Sequence, residues 1–69
     1  EQYVELQGQV IEVLPATTFR VAIQGTSGGI LAHLGGRLRR GRIRVVLGDE
    51  VTVAVSVYDP RRGRIVYRH

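Results

Sequence analysis

Five arginines fall within eight residues, at Arg37, Arg39, Arg40, Arg42 and Arg44, with no acid between them. Four more follow at Arg61, Arg62, Arg64 and Arg68. A guanidinium is permanently charged, pairs two-pronged with phosphate oxygens and stacks on planar bases. Cations spaced this densely stand within roughly one nucleotide step of each other, the ladder a phosphate backbone needs. The plainer reading is a solvated loop whose charge keeps a small protein dispersed. Cations that no acid balances serve that purpose poorly, so contact with a nucleic acid is the preferred reading.

Other side chains are placed by alternation. Phe19 shares parity with Val21 and Ile23. It is therefore either a core aromatic or a platform on which bases stack. His33 alternates with Ile30, Ala32 and Leu34 and should face outward, solvated or stacked on a base. Tyr58 ends a valine strand on the non-valine parity, and Arg64 lies opposite Ile65, so both should face solvent or ligand. Asp59 is expected to open a turn and bond backbone amides two residues on. Tyr3 and Tyr67 read as rim or core packing.

Catalysis finds little support. The histidines are His33 and His69 and the serines are Ser27 and Ser56, none in a nucleophile–base context. Asp49 and Glu50 are adjacent and would point to opposite faces of a strand. Two histidines without cysteine make a zinc site improbable. The glycines of GTSGG lack the lysine and helix of a phosphate loop. No cofactor is expected.

The chain has 69 residues, 43% of them apolar and 23% charged, and carries a net charge of +4. That describes one folded domain over residues 1–69 with a thin core. Absence of cysteine excludes a disulfide scaffold. Apolar runs are too short for a membrane helix, no signal-peptide pattern is present, and a start at Glu1 is what a trimmed or processed chain would show. All ten basic residues are arginine. Genomic codon bias alone would produce that, so position is more informative than identity. Residues 1–36 hold one arginine against three acids, and residues 37–69 hold nine against three.

The elements that must hold these residues follow a period of two. Val51, Val53, Val55 and Val57 alternate with small or polar residues, as do Phe19, Val21 and Ile23; Ile30, Ala32 and Leu34 alternate with Leu31 and His33, and Ile65 and Tyr67 with Arg64, Val66 and Arg68. In the first strand Val4, Leu6, Gly8 and Val10 share one parity and Ile11 and Val13 the other, which predicts a bulge in a long strand. Turns are expected at Pro15–Thr17, over Gly25–Gly29, at Gly48–Asp49 and at Asp59–Gly63. Between the third and fourth strands, Gly36 to Arg40 reads as one or two helical turns ended near Gly41, then an extended piece through Val46. Five strands with a helical insert after the third describe an all-β OB-fold barrel. An SH3-like barrel, the main rival, usually lacks a long segment at this point.

The strings VIEVLPATTFRV, LAHLGGRLRRGRIRVVLGDEVTV and YDPRRGRIVYR closely resemble the family of bacterial-type translation initiation factor one, from about Leu6 to Arg68. More broadly the chain is similar to the OB-fold repeat of the large small-subunit ribosomal protein. There an aromatic, a histidine, an aspartate and an arginine face RNA, at positions matching Phe19, His33, Asp59 and Arg64. The resemblance implies a non-enzymatic, monomeric factor that binds ribosomal RNA at the aminoacyl-tRNA site of the small ribosomal subunit. It implies a neighbouring ribosomal protein and the other initiation factors as partners, no membrane, and a block on premature tRNA arrival. The loop matching Arg37 to Arg44 would enter the RNA groove, and Tyr58, Arg61, Arg62 and Arg68 complete the expected surface. The compartment implied is the cytoplasm, or the plastid stroma, whose factors share an arginine-rich loop. The family usually has an aromatic at Arg42 and a Ser-Gly pair at Gly35-Gly36, so here a stacking contact becomes ionic and a helix cap is lost. A general OB-fold RNA chaperone or single-strand binder is the alternative function, and a barrel meeting an acidic protein a third.

Overall fold

A computed structural model describes residues 2–25, 28–41 and 43–69. Five strands, β1 (Tyr3–Leu14), β2 (Thr18–Ile23), β3 (Ile30–Leu34), β4 (Glu50–Ser56) and β5 (Asp59–Arg68), close into a barrel in the order β1-β2-β3-β5-β4. One short helix, α1 (Gly36–Arg40), lies between β3 and β4. All neighbours are antiparallel except β3 and β5, which run parallel. Among the described residues no helix is long and apolar enough to cross a membrane.

The alternation places the core as expected. Val21, Val51, Val53 and Ile65 are fully buried, and Val10, Phe19, Ile30, Ala32 and Val55 join them. Each such valine, isoleucine or phenylalanine side chain contributes about 1.5–3 kcal/mol of transfer free energy. Leu38 from α1 and Val45 from the segment after it belong to the same cluster. Thr52 lies on the opposite parity from the core valines but is also buried. Its Oγ1 lies 2.8 Å from His69 Nε2, and the His69 ring meets Tyr67 edge-on at 4.9 Å.

Every strand of the closed barrel belongs to two ladders, and in β1 and β5 the crowding at one position requires glycine. In β1, Gly8 faces Ile23 of β2 and Val51 of β4. A Cβ at Gly8 would stand 2.5 Å from the Ala22 carbonyl oxygen, so only glycine allows this crossing. The predicted bulge is present: the register jumps between Val10 and Glu12, leaving Ile11 out of the pairing and exposed. In β5, Gly63 faces Ala32 of β3 and Val55 of β4, and a Cβ there would stand 2.5 Å from Val53 Cγ1.

The last hairpin differs from its sequence expectation. The turn is Val57–Tyr58, because Ser56 pairs with Asp59 and the Ser56 hydroxyl accepts the Tyr58 amide at 3.1 Å. Ser56, not Asp59, therefore stabilises the turn, and Val57 leaves the inward row for solvent. Asp59 to Gly63 is the start of β5 instead of a turn. The β4 register jumps from Val55–Gly63 to Ser56–Asp59, so Pro60, Arg61 and Arg62 drop out of that ladder. Pro60 lacks an amide hydrogen, and at such a bulge none is needed.

Helix α1 has five residues, far below the length that is stable alone. Tertiary contacts hold it. The Gly35 amide donates to the Ile65 carbonyl at 2.9 Å, and Leu38 is buried beneath. Gly35 supplies no side-chain cap, as expected, but its missing Cβ admits the close approach to β5: a methyl there would stand 2.8 Å from Ile65 O. The Ile43 amide then returns to the Leu38 carbonyl at 3.0 Å and releases the chain into an irregular segment.

Gly63→Ala is expected to cost about 1–3 kcal/mol by overpacking. Gly36→Ala, with open space around its Cβ, should gain up to about 1 kcal/mol. Urea unfolding of the two variants measures both.

Candidate nucleic-acid interface

The fold brings the two arginine bursts together along β5. Arg37 and Arg40 of α1 and Arg64 of β5 line one cleft with Gly35, Gly36 and Val66. The Arg40 Nε–H donates to the Gly36 carbonyl at 3.4 Å. Among the described residues no carboxylate lines this cleft. Parallel pairing of β3 with β5 sets His33 beside Arg64, and antiparallel pairing of β4 sets Ala54 on its other side. A second cleft on that sheet face is lined by Tyr3, His33, Ser56, Asp59, Arg62 and Arg64. Arg64 thus joins the helix cleft to the sheet cleft.

Arg39 and Arg44 flank a third depression with Thr17, over a floor that includes Phe19, Leu34 and Leu38. Thr17 holds a left-handed backbone (φ 51), as does Ala16 (φ 63), in the tight turn after Pro15. That conformation is uncommon for a β-branched residue.

Most of the cations are uncommitted. Among the described residues two ion pairs form, Arg20–Glu12 at 2.9 Å and Arg68–Asp49 at 4.0 Å. Arg37, Arg39, Arg40, Arg44, Arg61, Arg62 and Arg64 are exposed and make no ion pair among the described residues. Like charges held together without a counter-ion repel each other, and a polyanion removes that cost on binding. Among the described residues no group of histidine, cysteine or acid side chains could hold a metal ion.

Several expected site residues change role. Phe19 is 4% exposed, so it packs in the core and offers no ring for stacking; its edge forms the floor of the Arg39–Arg44 depression. Arg61 stands apart from the main group, beside Arg20, Gly29 and Leu31. Tyr58 is 82% exposed at the hairpin tip and is not among the residues that line the clefts described above. Arg68 is turned onto protein, its Nη1 donating to the Arg44 carbonyl at 2.8 Å. Arg42 lies outside the described residues. Tyr3, read from sequence as rim or core, is half-exposed and forms a wall of the His33–Arg64 cleft. Its parity, opposite Val4 and Leu6, was the available signal, but in a strand this irregular it was ambiguous.

A closed five-strand barrel with this order, its helix after the third strand and a basic cleft along β5, is an OB-fold domain of the nucleic-acid-binding class. Comparison with known proteins narrows this. Residues 1–69 match the family described as translation initiation factor 1A / IF-1. Translation initiation factor IF-1 of Rickettsia akari (strain Hartford) is 44% identical over 69 residues, covering 100% of this chain and 96% of that protein. The IF-1 of Rickettsia felis (strain ATCC VR-1525 / URRWXCal2) is 44% identical with the same coverage. Among solved structures, the solution structure of translation initiation factor IF-1 from the Wolbachia endosymbiont (strain TRS) of Brugia malayi superposes with a TM-score of 0.82 at 38% identity, covering 100% of this chain and 80% of that one. YjeQ of Thermotoga maritima shares the fold alone, with a TM-score of 0.76 at 21% identity over 96% of this chain and 23% of that one. The chain belongs to the translation initiation factor 1A / IF-1 family, a family of non-enzymatic, RNA-binding factors of protein biosynthesis.

Phe19→Ala is expected to cost about 3–5 kcal/mol, enough to unfold so small a domain. Tyr58→Ala should change stability by less than about 0.5 kcal/mol. Thermal unfolding followed by circular dichroism distinguishes the two.

Proposed function

We propose that this factor binds the small ribosomal subunit at the aminoacyl-tRNA site. There it contacts ribosomal RNA and a neighbouring ribosomal protein, blocks premature tRNA arrival and supports the other initiation factors. Its working form is a monomer in the cytoplasm. Family membership supports the reading, and the observation that carries it is the Arg37–Arg40–Arg64 cleft, three cations from two elements with no acid among its described lining. Phosphates would lie along α1, the segment that follows it and β5, meeting Arg37, Arg39, Arg40, Arg42, Arg44 and Arg64. His33 and Tyr3 would offer ring surfaces to an unstacked base, with Asp59 as acceptor and Arg62 as a flanking cation.

Co-sedimentation with small subunits, challenged by tRNA, tests the assignment. Binding is expected, with competition from tRNA; no competition would move the site elsewhere on the subunit. Replacing Arg39, Arg40 and Arg42 by Ala should weaken co-sedimentation by at least about tenfold and leave the circular dichroism unchanged. With about five phosphate contacts, the log–log salt slope should lie near −3 to −4. A slope near zero would remove the electrostatic basis. Equal affinity for an unrelated RNA hairpin would favour a general RNA chaperone instead.

A further inference from the structure

The segment that presents Arg44 has no regular secondary structure, but it is firmly tied down. Its Arg44 carbonyl accepts a hydrogen bond from Arg68 Nη1 at 2.8 Å. The Asp49 Oδ2 atom accepts from the Val46 amide at 2.9 Å and lies 4.0 Å from the same Arg68 nitrogen. The Asp49 amide donates back to the Val46 carbonyl at 3.1 Å, closing a turn through Leu47 and Gly48, whose φ is +92°. That turn is joined to β1 by Val10 N–H to Asp49 O at 2.9 Å and Gly48 N–H to Val10 O at 2.8 Å. Asp49 therefore links the barrel wall, through β5, to the segment that carries Arg44.

Two features do not fit a purely RNA-facing surface. Arg68 belongs to the second arginine burst in sequence, but its Nη1 is engaged by protein. Asp49 is an acid five residues from Arg44, and by charge alone it lowers affinity for a polyanion. Such a group must contribute something that charge counting omits. A segment ordered in advance does not pay for its ordering when the ligand arrives.

We propose that Asp49 and Arg68 are positioning residues for RNA binding, clamping the segment from Arg44 to Asp49 so that Arg44 faces Arg39 across their shared depression. The inference rests on the RNA reading of the arginine surface given above. Asp49 acts through Arg44 and need not touch RNA, and Arg68 contributes a clamp instead of a phosphate contact.

The sign of one substitution is diagnostic. Asp49→Ala removes a negative charge, so charge alone calls for tighter binding. The clamp calls for binding to a decoding-site RNA about threefold to tenfold weaker, with a log–log salt slope shallower by about 0.7, one phosphate contact. Asp49→Asn keeps an oxygen acceptor for the Val46 amide and should stay within about twofold of the parent. In a double-mutant cycle, Asp49→Ala should add nothing once Arg44→Ala is present. Tighter or unchanged binding by Asp49→Ala, or full additivity with Arg44→Ala, overturns the clamp. If Asp49→Ala does not fold, Arg68→Ala takes its place in the same cycle, with non-additivity expected and additivity overturning the proposal. An Arg44→Ala variant with parental affinity and slope would instead remove the RNA role of this depression. A weakened Arg44→Ala beside a tightened Asp49→Ala would leave that role intact and overturn only the clamp.

Discussion

Closing a five-strand sheet on itself is the constraint from which the rest follows. Every strand must serve two neighbours, and at one point in β1 and one in β5 a neighbouring carbonyl or valine side chain fills the space a Cβ would need. Gly8 and Gly63 occupy those points. With Gly63 in place, β5 runs between β3 and β4 and sets Arg64 beside His33. With the barrel closed, the alternating valines and isoleucines become the interior, with no cysteine to bridge it. The same closure leaves one end to be covered by α1, whose buried Leu38 pins three exposed arginines to the surface.

Electrostatics then divides the arginines by task. Arg20 is neutralised by Glu12 across the β1–β2 pair, an exposed contact of small energetic value. Arg68 is engaged by a carbonyl and a carboxylate. Arg37, Arg40, Arg62 and Arg64 are left unpaired among the described residues and face two clefts joined at Arg64. An interior built from apolar side chains tolerates this, because the repulsion is confined to a solvated surface where water and salt screen it. The result is a surface that costs little when free and attracts a polyanion strongly.

Much of the barrel was legible in the chain because strand alternation is local. Burial of Val21, Val51 and Val53, the Ile11 bulge, and the bounds of α1 at Gly36 and Arg40 all follow from spacing and glycine placement. The final hairpin was not. Asp59-Pro60 with Gly63 has the composition of a turn, but cross-strand pairing put the turn at Val57–Tyr58 and used Pro60 in a bulge. Local propensity offers both, and the ladder with β4 decides between them. The site was partly legible for the same reason. Two dense arginine groups identify a basic surface, but alternation cannot say that Phe19 lies beneath it or that Arg61 falls on a different face.

The amino-acid order by itself determined the charge asymmetry, the number of strands, the place of the helical insert and the family, since each depends on residue type and short-range spacing. Only the tertiary structure decided which arginines meet. Arg37 and Arg64 are far apart in the chain and line one cleft because β3 and β5 pair in parallel and Gly35 allows α1 to rest on Ile65. It also decided that Arg68 and Asp49 work on the backbone of the Arg44 segment, because a hydrogen bond to a carbonyl depends on where a chain folds back and not on the side chain it passes.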